Sequence, residues 1–301
     1  MRLDIPDKFL LLFTKVFENK SLDGGNRLNA FMLRITNNSF NYNSLKDELE
    51  NAMITYALSR HTYDELVSQK KFGNLSSRAR EEFRKAKSNQ GELGELLLYC
   101  LLEAHLKAPK LLTKLELKTA SNDYVKGADG VHLLKLDNKT YQIIFGESKL
   151  QPNLNDGIYE AFSSIKTMLK EGLKKIIYEI HLVNSNLLKE NLSDDESYLT
   201  LKKILIPTEN DEDLNVDYSF GIFLGFDFSI SDEERRLKNN EFRRKMEQKV
   251  EEAINKCIPL INRKLKKDQF IGYDFYFYIV PFYELDKIRN QMIADLKLES
   301  I

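Results

Sequence analysis

The chain has 301 residues, enough for one large domain or two modest ones, and its 42% hydrophobic and 30% charged residues mark an ordinary soluble protein. Its 45 Lys and Arg against 46 Asp and Glu leave a formal charge of −1, which excludes a strongly basic nucleic-acid coat but not a local basic groove. Cys100 and Cys257, the two cysteines, make neither a disulfide framework nor a zinc ribbon and fit a reducing cytoplasm.

Asp4 and Asp7 precede the first short apolar run, a pattern wrong for a signal peptide, and runs such as "LLLYCLL" are too short to span a bilayer. Residues 1–90 are expected to form a mixed α/β extension, a candidate partner or DNA contact. In it "NRLNAFMLRI" reads as a strand and "NSLKDELENAMITYALSR" as a helix capped by Asn43 or Ser44. A basic stretch follows, with Lys70, Lys71, Arg78, Arg80, Arg84, Lys85 and Lys87 against Glu81 and Glu82.

From Gly91 onward a second unit, 91–301, carries the densest pattern. "GELGELLLYCLLEAHL" is a helix opened by Gly91, with Leu93, Leu96, Leu97 and Leu101 as its apolar stripe, and Pro109 ends it. "KLELKT", "DGVHLLKL" and "YQIIF" are strand candidates, the last two joined by a tight turn at Asp137 and Asn138. A long helix starts near Asp156, with Ile158, Phe162, Ile165, Leu169, Leu173, Ile176 and Ile180 at helical spacing. "KKILIP" and "SFGIFLGFDF" read as strands around an acidic loop. One long charged helix follows, capped by Ser231 with Glu234 three residues on. "YDFYFYIVPF" is another strand, better read as core than as an exposed interface, and a last helix holds Leu285, Ile288, Met292 and Leu296. Strand–helix alternation predicts an α/β sheet.

The chemistry gathers around "YQIIFGESKL". An apolar strand runs straight into Glu147 and Lys149, which alternation places on one face. Asp129 lies 18 residues before Glu147, the length of one antiparallel hairpin, so it returns beside Glu147. Two converging carboxylates repel unless a cation sits between them, and Mg²⁺ takes one or two protein carboxylates plus water and phosphate. Lys149 would position or help deprotonate a water and offset phosphate charge, and the Ser148 carbonyl would add a ligand. Taken alone, the triplet also fits a surface ion pair at a frayed strand end, worth little.

The order of a Glu-bearing helix, an Asp and E-x-K resembles the PD-(D/E)xK nuclease superfamily. "GELGELLLY.LLE", "GADGVH", "GESKL" and "YSFGIFLGFDF" more closely resemble the HamA family, nuclease subunits of the Hachiman anti-phage defence system. The resemblance runs from about residue 50 to the C-terminus and is strongest over 91–150. It implies a restriction-endonuclease-like α/β core with a mixed central sheet flanked by helices. The implied activity is Mg²⁺- or Mn²⁺-dependent DNA hydrolysis leaving a 5′-phosphate, under control of a helicase partner, HamB. Asp129 and Glu147 would be the metal carboxylates and Lys149 the catalytic lysine, with Ala128 standing where the superfamily pattern has proline. Glu95, four residues after Gly91, is the favoured helical acid, an outer metal or water contact, with Glu92 next; both also fit solvated first-turn acids.

His61, His105, His132 and His181 show no zinc spacing, and His132 reads as structural. No Gly-rich loop leads into Lys-Ser or Lys-Thr, so ATP-driven steps fall to a partner, and no small-molecule cofactor is expected. The run 70–87, together with Arg235, Arg236, Arg243, Arg244 and Lys245, offers phosphate or helicase contacts, or simply solvated helix faces. Two other functions fit the same residues: a repair or recombination nuclease, and a non-catalytic DNA-binding scaffold on a nuclease fold.

Overall fold

The apolar run ahead of Glu147 becomes the 12-residue strand β7 (Thr140–Gln151). Asp137 closes the turn before it, its carboxylate accepting the Lys139 and Thr140 N–H groups, each at 2.8 Å. The partner strand β6 (Gly130–Lys135) runs antiparallel to β7 with Gly130 opposite Gly146, so the expected hairpin is present. The computed structural model describes residues 2–85, 91–113, 115, 128–178, 195–205 and 214–298.

Among these residues β7 sits inside a seven-stranded mixed sheet. On one side it pairs in parallel with β8 (Asn215–Asp227), which pairs in parallel with β9 (Asp274–Phe282). β9 meets β2 (Arg27–Leu33) in parallel, and β1 (Phe13–Ser21) closes that edge antiparallel. On the other side, β6 meets β5 (Lys110–Thr113) antiparallel. The sheet thus takes strands from both sides of residue 90. A separate two-stranded ribbon joins β3 (Ile35–Thr36) and β4 (Ser39–Phe40). The result is the expected nuclease-like α/β arrangement. The aromatic strand β9 is core, with Phe275, Phe277, Tyr278, Ile279, Val280 and Phe282 fully buried.

Helices cover both faces. α1 (Tyr42–Ala57), α2 (Arg60–Ser68), α3 (Phe72–Lys85) and α4 (Glu92–Ala104) come from the first hundred or so residues. α4 lies on one face of β7: a Cβ on Gly94 would be 3.2 Å from Ser148. α5 (Leu154–Glu171) lies on the other, where a Cβ on Gly157 would be 3.8 Å from that of Lys149. α6 (Asp195–Leu205), α7 (Asp232–Arg235), α8 (Asn239–Leu265) and α9 (Leu285–Lys297) follow, and a short helical segment spans 173–178.

Several local expectations give way. Asn41, not Asn43 or Ser44, caps α1 by accepting the Ser44 N–H at 3.2 Å. α5 begins at Leu154 and stops at Gly172, whose φ of +89° suits a residue without Cβ, so Leu173 and Ile176 lie in the next helical segment. "KKILIP" is helical as far as Leu205, because Leu201, Ile204 and Leu205 are buried at i, i+3 and i+4. The long charged helix divides into α7 and α8. Ser231 and Glu234 form the capping box, but the Asn38 amide then takes the Arg235 and Leu237 carbonyls, at 3.2 and 2.7 Å, and the chain restarts from Lys238. Most of "KLELKT", together with Lys87, Ile180 and His181, lies outside the described residues.

The parallel strands pack so closely that side-chain volume at the C-terminal end of β8 is fixed. A Cβ on Gly225 would stand 2.3 Å from Leu150 Cδ2 and 3.0 Å from the Phe282 ring. Gly225→Ala is expected to cost about 1–3 kcal/mol through overpacking, read as a lower midpoint in urea unfolding. An unchanged midpoint would contradict this spacing.

Candidate functional site

β6 and β7 deliver three charged side chains to one end of the hairpin. The Asp129 N–H donates to the Gly146 carbonyl at 2.8 Å, which fixes the residue beside the strand that carries Glu147. One Asp129 carboxylate oxygen, Oδ2, accepts both the backbone N–H and the hydroxyl of Ser148, each at 2.7 Å. Alternation along β7 turns Ser148 toward α4 and Glu147 and Lys149 toward α5. Lys149 Nζ lies 2.7 Å from Glu147 Oε1, and its side chain is 24% exposed while that of Glu147 is 3% exposed.

The charges act on one another. Burial first, and then the Asp129 charge, push the Glu147 carboxyl well above its ordinary value, against the pull of Lys149 and of the Ser164 hydroxyl on α5. Burial draws Lys149 down, but Glu147 and Asp129 hold its ammonium above the usual value. Asp129, Glu147 and Lys149 are therefore brought together. The pair is a half-covered charge cluster against α5, not an ion pair at a frayed strand end.

The helical acids separate. Glu95 lines a cavity of about 10 Å³, roughly the room of one water, together with Tyr56, Leu98, Tyr99, Thr113, Asp129, Gly130, His132 and Gly146. Its Oε2 accepts from the Tyr56 hydroxyl at 3.3 Å. Glu95 thus approaches Asp129 from the α4 side of the sheet, while Glu147 and Lys149 approach from the α5 side. Glu92 points elsewhere, its Oε2 standing 3.1 Å from Nζ of Lys297 in the last turn of α9. Both helical acids are only 2% exposed, so neither is a solvated first-turn acid.

Among the described residues no three His, Cys, Asp or Glu side chains form a preformed metal cage. The donor set still fits a hard divalent ion. Two buried carboxylates repel across the hairpin end, the Ser148 carbonyl is adjacent, and Mg²⁺ needs only one or two protein carboxylates beside water and phosphate.

The family model described as HamA matches residues 8–296. The chain belongs to the HamA family. Membership implies a role in anti-phage defence, within a system that has partner subunits. No curated protein and no solved structure matches the chain. Among the described residues no helix is long and apolar enough to cross a membrane.

The basic residues predicted as phosphate contacts divide into two groups. Arg80 donates to the Asp295 and Leu296 carbonyls at 3.3 and 2.6 Å, and Arg84 to the Lys297 carbonyl at 2.7 and 2.5 Å, so both cap the end of α9. Arg243 Nε donates to the Ile35 carbonyl at 3.1 Å, and Arg235 lies over the Tyr283 ring. Lys70, Lys71, Arg78, Arg236, Arg244 and Lys245 are exposed.

Sequence reasoning missed three contributors: the Ser148 N–H and hydroxyl, Ser164, and the Glu92–Lys297 pair. Alternation could have turned Ser148 away from its neighbours, but its bond to Asp129 depends on the hairpin. Ser164 reaches Glu147 only because α5 folds back over β7, and the Glu92–Lys297 pair joins segments far apart in sequence.

His132 is structural, as read, and it also lines the Glu95–Asp129 cavity. Its Nδ1 lies 2.8 Å from the Ala108 carbonyl, which makes it the N–H donor, and burial lowers its pKa from 6.5 to about 4. The unfolded chain therefore binds more protons between those values, so stability rises with pH from about 4 to 6.5 and is lost as pH falls through that window. The difference corresponds to on the order of 3 kcal/mol. His132→Asn, which keeps an N–H donor, is expected to flatten that part of a thermal-melting-versus-pH curve; a curve of unchanged slope would contradict a buried neutral imidazole.

Proposed function

We propose that the chain is the metal-dependent deoxyribonuclease effector of its defence system, hydrolysing phosphodiester bonds under the control of a helicase partner, HamB. The observation that carries this reading is the convergence of Asp129, Glu147 and Lys149 at one hairpin end, with the Lys149 ammonium 2.7 Å from Glu147. Asp129, Glu147 and the Ser148 carbonyl would hold the Mg²⁺ or Mn²⁺ ion. Bound there, the ion supplies Lewis-acid polarisation of a water and of a phosphoryl oxygen.

The chain's own residues do the rest. The Ser148 N–H and hydroxyl grip one Asp129 oxygen and fix the rotamer. Glu147, destabilised as an anion by burial and by Asp129, gains from any cation placed between the two acids. Lys149 keeps its proton at neutral pH, so its role is to orient the attacking water and to offset the charge that develops on phosphorus. Glu95, across the small cavity from Asp129, orders water on the α4 side.

The test is cleavage of plasmid DNA by the purified chain, alone and with its helicase, in Mg²⁺ or Mn²⁺ and in EDTA. Glu147→Ala and Lys149→Ala are each expected to lose at least about 100-fold in rate with the melting temperature retained, the order seen when one stabilising or proton-handling group is removed. Ser148→Ala, which keeps the N–H, is expected to lose less. Undiminished cleavage in both the Glu147 and Lys149 variants would overturn the reading. DNA binding with no cleavage in any condition would make the chain a scaffold.

A further inference from the structure

With Arg80, Arg84 and Arg243 bonded to backbone carbonyls, a different surface carries uncommitted positive charge beside the candidate site. The last turn of α8 and the two residues after it hold Arg263, Lys264, Lys266 and Lys267 within five residues. Asp23 neutralises Lys266 at 2.9 Å. Arg263 and Lys267 are exposed and make no ion pair among the described residues. Lys264 is half-buried and lies in the field of both, so three cations crowd one helix end. Cations favour a helix C-terminus, but that field acts on one turn and does not require like charges to be pressed together.

The Lys264 ammonium is also aimed. It stands 4.0 Å from the ring centre of Tyr159 on α5, a residue that is 48% exposed. Phe162 and Phe270 pack at 5.1 Å and lock the start of the α8–β9 connection onto α5. Tyr159 belongs to the same turn of α5 as Gly157, which packs on Lys149, and as Glu160, whose charge reaches Lys149. Tyr159, Lys166 and Lys170 follow one another on the exposed side of α5 at i, i+7 and i+11. Acids near these cations include Asp23, bound to Lys266; Glu160, bonded to the Gln151 amide; the exposed Asp156 and Glu171; and Asp268, next to Lys267 in the sequence.

An exposed aromatic ring beside cations that make no ion pair among the described residues, on the turn of α5 that packs on Lys149, has the chemistry of a single-strand track: phosphates meet ammonium and guanidinium groups, and a base stacks on the ring. We infer that the end of α8 and the outer turn of α5, through Arg263, Lys264, Lys267 and Tyr159, bind the backbone and one base of the DNA strand engaged by Glu147 and Lys149. The inference rests on the nuclease reading for the identity of its ligand.

The test is fluorescence anisotropy with a labelled 30-nucleotide single strand over a NaCl series, in EDTA to stop cleavage. The proteins are the full-length wild type, Arg263→Gln/Lys264→Gln/Lys267→Gln, Tyr159→Phe and Tyr159→Ala. A charge-matched control, Lys70→Gln/Lys71→Gln/Arg78→Gln, removes exposed cations elsewhere, and melting temperatures check folding. The triple variant is expected to bind at least about 10-fold more weakly, with a log K versus log[salt] slope shallower by about 2, since three single-strand phosphate contacts contribute roughly 0.7 each. Tyr159→Ala is expected to lose about 10-fold and Tyr159→Phe little, because the ring supplies the contact.

Equal affinity and slope in the wild type and the triple variant would overturn the inference. So would an equal loss in the control, or no wild-type binding at low salt. Unchanged DNA affinity with lost helicase co-purification would also overturn it and assign the patch to the protein partner. Binding that depends on the patch, with no cleavage by the wild type, would leave this surface standing and remove the nuclease reading. Cleavage that is insensitive to the patch would do the reverse.

Discussion

A carboxylate that is nearly buried needs fixed hydrogen-bond donors, and for Asp129 the donors come from the neighbouring strand. Ser148 gives both its N–H and its hydroxyl to a single Asp129 oxygen, a charge-assisted arrangement possible only where β6 and β7 share a register. That register also sets Glu147 close enough to feel the Asp129 charge and leaves Lys149 to answer both acids. The remaining architecture keeps the hairpin end rigid and half-covered. α4 and its cavity close one side, α5 closes the other, and the parallel strands β8 and β9 hold β7 from behind.

The α4 side is tied down by a second set of buried charges. Glu103, fully buried in α4, accepts the N–H groups of Asp4, Ile5 and Lys110 at 2.5, 2.9 and 2.9 Å, with the Arg60 guanidinium 3.6 Å away. Arg60 in turn pairs with Asp4 at 2.9 Å, and the buried Lys110 ammonium donates to the Thr55 and Leu58 carbonyls at the end of α1. Burying so much charge is tolerable only when every member is partnered, and breaking one partner leaves a costly orphan. The effect is specific positioning: the N-terminal segment, α1, α2, α4 and edge strand β5 are locked in one arrangement. At the far end of α4, Lys297 and Glu92 do the same for its first turn, while Arg80 and Arg84 anchor the α9 turn that carries Lys297.

These two networks place segments from both ends of the sequence around the helix that carries Glu95. α4 is thus held between the N-terminal helices and α9 in a family whose defence system has partner subunits. The basic α3 therefore has a mixed character, with two arginines in the fold and Lys70, Lys71 and Arg78 near or on it facing outward.

The sequence alone determined the features that strand alternation, a tight turn and helical spacing fix. The apolar run into Glu147, the turn at Asp137 and the 18-residue interval from Asp129 together specify a hairpin with two acids and a lysine at one end, because strand alternation and antiparallel return are local geometry. Helix stripes such as Leu93–Leu101 and the Ser231–Glu234 box were legible for the same reason. Tertiary structure decided what local geometry leaves open. A short apolar stretch such as 201–205 fits either a helix or a strand, and burial on one side made it helical. The long charged helix was divided by an amide from Asn38, roughly two hundred residues away in sequence. Glu92 and Glu95 lie one turn apart on one helix, and the sequence favoured Glu95 without showing what either side chain meets. The arrival of Lys297 beside Glu92, and of Asp129 across a cavity from Glu95, gave each its partner.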